Sequence, residues 1–143
     1  CFDWRWGKLF GEVNEDSAIR ILRELNQAHA AYAATYQSGF PHDLKRLLPP
    51  AKGEPNRDSA GLLEPVLADA IEAGTEAGFE RLNYHFTYTP GARDEAGHIA
   101  AYTITARPGA YPKLGRRSFF TDQSGIIHAT SQNRPATTQD APV

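Results

Sequence analysis

Halfway along this chain the spacing of apolar residues changes, from steps of three and four to alternation. A 3.6-residue period buries one stripe of a helix and a period of two buries one face of a strand, so the two halves cannot share one kind of secondary structure. In the first half Ala18, Ile21, Leu22, Leu25, Ala28, His29, Tyr32 and Tyr36 recur at helical steps, while Arg20, Arg23, Glu24 and Gln27 face away. The pattern predicts a helix over residues 14–37. Asn14 is its expected cap, Glu15 and Asp16 suit the positive end of its dipole, and Gly39 followed by Pro41 ends it. A short helical turn is expected over 43–48, stopping at Pro49 and Pro50. A second helix is expected from 58 or 59 to 72, with Leu62, Leu63, Val66, Leu67, Ala70 and Ile71 on one face and Pro65 near its start.

The second half reads as strands. Tyr84, Phe86 and Tyr88 alternate with His85, Thr87 and Thr89; further strands are expected over 99–106, 117–121 and 126–130. The last two flank Asp122-Gln123-Ser124-Gly125, a set of turn-forming residues suited to a hairpin. Four consecutive strands with short polar connections predict an antiparallel meander, whose apolar face requires a cover that the long helix supplies. The expected fold is α+β: a long N-terminal helix packed on a four-stranded antiparallel β-meander. Its core should bring Ile21, Leu22, Leu25 and Tyr32 against some of Phe86, Tyr102, Ile104, Phe119 and Ile126.

Three segments follow from this: 1–13, the α+β domain over 14–130, and a tail over 131–143. In the first, Phe2, Trp6, Leu9, Phe10 and Val13 lie on one helical face, with Asp3, Arg5, Lys8 and Glu12 among them. Both tryptophans, Trp4 and Trp6, fall here, and an indole suits a membrane interface where its N–H stays wet. The face can meet a bilayer or a partner, or fold onto the protein's own core. Cys1 is the sole cysteine of a chain without methionine, which fits lipoprotein maturation and acylation of its thiol. An arbitrary start at this residue accounts for the same observation. Mass spectrometry of the native N-terminal peptide separates the two. The tail is polar, carries Pro135 and Pro142, and lacks periodicity, so its ordering is expected to need a partner surface.

Composition excludes several classes. A net charge of −2 gives no electrostatic footprint for nucleic acid. One cysteine allows neither an internal disulfide nor a thiolate-built zinc site. His29, His42, His85, His98 and His128 form no HxH, HExxH or i, i+4 pair; His85 and His128 sit in different strands and could be neighbours. Nucleotide-binding glycine signatures are absent from the sequence. Arg116 and Arg117 read as a surface or edge-protecting pair. No cofactor, metal or catalytic residue is expected.

Several stretches resemble bacterial type IV pilin-like proteins, including the pseudopilins of type II secretion. They are Asn14-Glu15-Asp16-Ser17-Ala18-Ile19, Tyr32-Ala33-Ala34-Thr35-Tyr36, the FTYTPG run at 86–91, Tyr102-Thr103-Ile104-Thr105-Ala106, and FFTDQSGII at 119–127. The resemblance spans 14–130 and implies a helix laid across a small antiparallel sheet, an envelope or extracellular location and a structural role. Pilins begin with a long hydrophobic helix and carry a glutamate where this chain has Arg5. The expected function is a non-enzymatic, lipid-anchored, pilin-like accessory subunit of a larger membrane or envelope protein complex. Cys1 would be its lipid attachment, and Phe2, Trp4, Trp6, Leu9 and Phe10 its membrane or partner contacts. The alternative is a pilin or pseudopilin that forms a filament or secretion pseudopilus. The codons upstream of Cys1, a lipobox or a basic leader with a long apolar run, discriminate the two.

Overall fold

The computed structural model describes residues 4–143, with side chains from residue 13 onward. Cys1, Phe2 and the side chains of Trp4, Trp6, Leu9 and Phe10 lie outside the described residues. The architecture is α+β: helix α1 (Trp4–Tyr36), a 3-10 turn (Leu44–Leu47) and helix α2 (Pro65–Ala73) precede strands β1 (Gly78–Arg81), β2 (Tyr84–Pro90), β3 (Tyr102–Pro108), β4 (Ser118–Asp122), β5 (Ile127–Thr130) and β6 (Ala141–Pro142). The strands form one antiparallel sheet in sequence order, a meander of six rather than four.

Helix α1 starts well before residue 14, so Asn14 is not its cap. The Asn14 side chain, buried within the helix, donates to the Leu114 carbonyl at 2.8 Å. Downstream the expected stripe is the buried one: Ala18, Ile21, Leu22, Leu25, Ala28, His29 and Tyr32 are at most 9% exposed, joined by Ile19. Gln37, at φ 52°, closes the helix by donating its N–H to Ala33 at 3.0 Å. Gly39 makes a bridge to Ile99, and a Cβ there would run into the Ile99 backbone, so this position requires glycine. Asp43 caps the 3-10 turn by accepting from the Arg46 N–H.

Helix α2 begins only at Pro65. The preceding residues are held as a loop because Ala60, Gly61 and Leu62 donate their N–H groups to Arg46, Leu48 and Leu47. Leu67 and Ile71 are buried, whereas Val66, expected beside them, is 57% exposed. Strand β1 pairs with β2 across Leu82 and Asn83, both at positive φ, the geometry of a tight hairpin turn. Strand β3 begins at Tyr102; Ile99 is buried in a bridge rather than in a strand.

The sheet buries one face beneath α1. Phe79, Phe86, Ala106, Phe119 and Ala129 form a row across it in register, with Tyr84, Tyr88, Tyr102, Ile104 and Ile127 on the same face. Ile126, expected in this core, is 50% exposed, and Ile127 takes the inward position by pairing with Thr121. A one-residue slip at the hairpin exchanges the two faces.

The tail folds onto its own sheet. Val143 donates its N–H to Ile127 at 2.7 Å, the His128 Nδ1 donates to the Asp140 carbonyl at 2.8 Å, and Ala136 is buried. The Arg134 guanidinium grips the Asp140 carboxylate through two bonds, of 2.6 and 3.0 Å, and holds that carboxyl down at about 2. These contacts tie the segment to β5 of its own sheet. Proline limits β6 to an edge position, which is why no strand pattern marks it.

Candidate interaction surface

Because α1 is continuous from Trp4 to Tyr36, the rotational phase of its two ends is linked. On an idealised helix each residue advances about 100°, so by sequence spacing alone the positions of Trp6, Leu9, Phe10 and Val13 fall about 130° from those of the buried stripe. Val13, the member of that face among the described side chains, is 52% exposed, while its neighbours Asn14 and Glu15 are buried.

A polar clasp sets where the helix enters the head. Besides the Asn14 bond, the Glu15 carboxylate accepts from the Arg116 N–H at 3.2 Å and pairs with the Arg117 guanidinium at 3.5 Å. Arg117 also lies over the Phe119 ring, 5.3 Å from its centroid, and its carbonyl accepts from the Tyr84 hydroxyl at 2.7 Å. Burial pushes the Tyr84 hydroxyl up from its ordinary range, with Glu15 adding to the shift. Arg117 is thus a half-buried structural ion pair rather than a surface charge, and Arg116 remains exposed. Glu15 meets the start of β4, and Asn26, about three helical turns on, donates to Thr121 near its end at 2.9 Å. Helix and strand therefore run alongside each other: eleven residues of helix rise about 16 Å, and four of strand about 13 Å. The ten residues 4–13, about 15 Å of helix, precede the clasp.

Two grooves are found among the described residues. One, of about 780 Å³, lies between α2 and the β1–β2 turn and is lined by Val66, Asp69, Glu80, Leu82, His85 and Leu114 among others. The other, of about 680 Å³, lies between α1 and the β4–β5 loop, where Arg23, Asn26, Phe40, Tyr102 and Gln123 meet. In the second, the Tyr102 hydroxyl donates to Asn26 at 2.8 Å and the Tyr102 N–H to the Gln123 side chain at 3.3 Å.

The histidines are dispersed. His29 is fully buried; His85, on the outer face of β2, faces Glu80 at 3.7 Å; His128 is three strands further on, in β5, tied to Asp140. The possible His85–His128 neighbourhood does not form. Burial, with Arg93 and Arg46 nearby, holds the His42 imidazole below its ordinary value. Among the described residues no three His, Cys, Asp or Glu side chains gather as a metal cluster, and no helix is long and apolar enough to cross a membrane. The clasp was missed because its partners are about a hundred residues apart, beyond any periodic signal. Set against known protein families, curated proteins and solved structures, the chain matches none.

Proposed function

We propose that this chain is a non-enzymatic, pilin-like structural subunit that docks on a larger membrane or envelope assembly through the aromatic face of the first turns of α1. The observation that carries the reading is the phase of the helix. By sequence spacing the apolar residues before Asn14 fall about 130° from the core stripe, a phase that would keep them off the sheet the stripe covers. The exposure of Val13 agrees with this. A helix-first chain with a consecutive antiparallel meander supports the pilin-like reading, and the clasp at Asn14 and Glu15 gives the head a fixed angle to the docking segment. Several polar side chains of the head are engaged in holding it together, as Asn26 and Thr121 are, which suits a structural role.

The test is a double substitution, Trp6→Asp with Phe10→Asp, in the whole protein expressed in its source cells. The head should keep its melting temperature within a few degrees, while membrane-fraction retention and co-migration with a larger complex on native gels fall at least tenfold. Unchanged retention and co-migration would remove the docking role of this face. Collapse of the head would place the face in the core instead.

A further inference from the structure

His29 is the most confined ionisable side chain of the head. It is 0% exposed, and its Nδ1 donates to the Leu25 carbonyl of its own helix at 2.6 Å. That bond leaves Nε2 as a lone pair, and among the described residues Nε2 has no hydrogen-bond partner. The ring sits between two tyrosines: Tyr102 of β3, stacked at 4.5 Å between centroids, and Tyr88 of β2, tilted at 4.8 Å. Both tyrosine hydroxyls donate elsewhere, Tyr88 to the Pro41 carbonyl and Tyr102 to Asn26. An imidazole packed purely for its shape would be replaceable by a phenyl ring. An unpaired buried nitrogen is instead a feature that changes the molecule when it takes a proton.

We propose that His29 is an acid-sensitive latch: as a neutral ring it locks the C-terminal turns of α1 between Tyr88 and Tyr102, and as a cation it must leave that slot, releasing those turns from the sheet. The slot is built against charge from each element around it. The own helix contributes the Leu25 carbonyl, already bonded to Nδ1, and β2 and β3 contribute the two tyrosines. In the 37–43 linker, Phe40 stacks edge-on against Tyr102, and the acid that follows, Asp43, acts on Tyr88. Asp122 at the end of β4 acts on Tyr102, not on the imidazole. Aromatic faces attract a cation, yet burial dominates and holds the imidazole down to about 4.

The sign follows from linkage. An unfolded or opened His29 takes its proton near pH 6.5, and the packed one only near 4, so the open state gains as pH falls between these values. Release also frees the linker, whose Pro41 carbonyl is held by Tyr88. A head that meets acid would loosen where α1 leaves the sheet, while the clasp at Glu15 lies at the other end.

The experiment follows the whole protein by NMR and amide exchange between pH 7.5 and 5. His29 should remain the neutral, Nδ1-protonated tautomer in the packed state at pH 5. The opening constant for amides of residues 25–36, corrected for intrinsic exchange, should rise about thirtyfold. In His29→Phe the rise should be absent. A His29 that titrates near 6.5 with the helix still packed overturns the latch, as does an equal acid rise in His29→Phe. Should that variant fail to fold, the wild-type tautomer and exchange measurements decide alone.

Discussion

The two lengths of α1 differ in what they have to bind. Over residues 14–36 one side of the helix is fully used: Leu22, Leu25 and His29 have no exposed surface, and Asn14, Glu15 and Asn26 bond to the sheet or its loops. Over residues 4–13 the backbone remains helical, the apolar pattern of the sequence shifts phase, and Val13 is open. A helix can therefore be half scaffold and half connector without a break, when its hydrophobic pattern shifts phase rather than period. The short polar run Asn14-Glu15-Asp16 is where the shift occurs.

Substitutions can break or sharpen this contrast. Leu25→Ala, in the packed length, should cost about 2–5 kcal/mol in chemical denaturation, since a cavity opens against the sheet. A loss below half a kcal/mol would put this length outside the core. Glu15→Ala should cost about 1–3 kcal/mol, because it leaves the Arg116 N–H unmatched and Arg117 half-buried without its counter-charge. The pair is partly open to solvent, which keeps the figure below that of a deeply buried one. Asn26→Ala removes the acceptor of Tyr102 and a donor to Thr121, and about 1–2 kcal/mol should be lost, with no change in the Glu15 region by amide exchange. Val13→Asp, in the open length, should change stability by less than about 0.5 kcal/mol. A loss comparable to that of Leu25→Ala would show the two lengths to be packed alike.

Much of the packed length was legible in sequence because a 3.6-residue stripe over six turns has few other solutions. The alternation through Tyr84, Phe86 and Tyr88 and the turn at 122–125 were legible for a similar reason. The misreading of Asn14 as a cap had a local cause: Asn, Glu and Asp in succession are what a helix start looks like, and nothing local reveals that the Asn14 amide is spent on Leu114. It split one helix into two segments and so concealed the phase relation between them. Strand β1 escaped because Gly-Phe-Glu-Arg is too short to display a period, and its turn uses Leu82 where a glycine or asparagine is usual. The hairpin at Ile126 and Ile127 offered two equal apolar candidates, and only the register decides between them.

Strand β6 is two residues long, yet it determines how the sheet's β5 side meets other molecules. Val143 directs its N–H inward to Ile127, so in an antiparallel ladder the residue before it is the one whose N–H would face outward. That residue is Pro142, which has none. An incoming strand finds no donor there, and the Arg134–Asp140 pair beside it adds charge that a dry seam would have to strip of water. Copies of this head crowded together would meet no donor at Pro142 and would have to strip the Arg134–Asp140 pair of water before pairing edge to edge there.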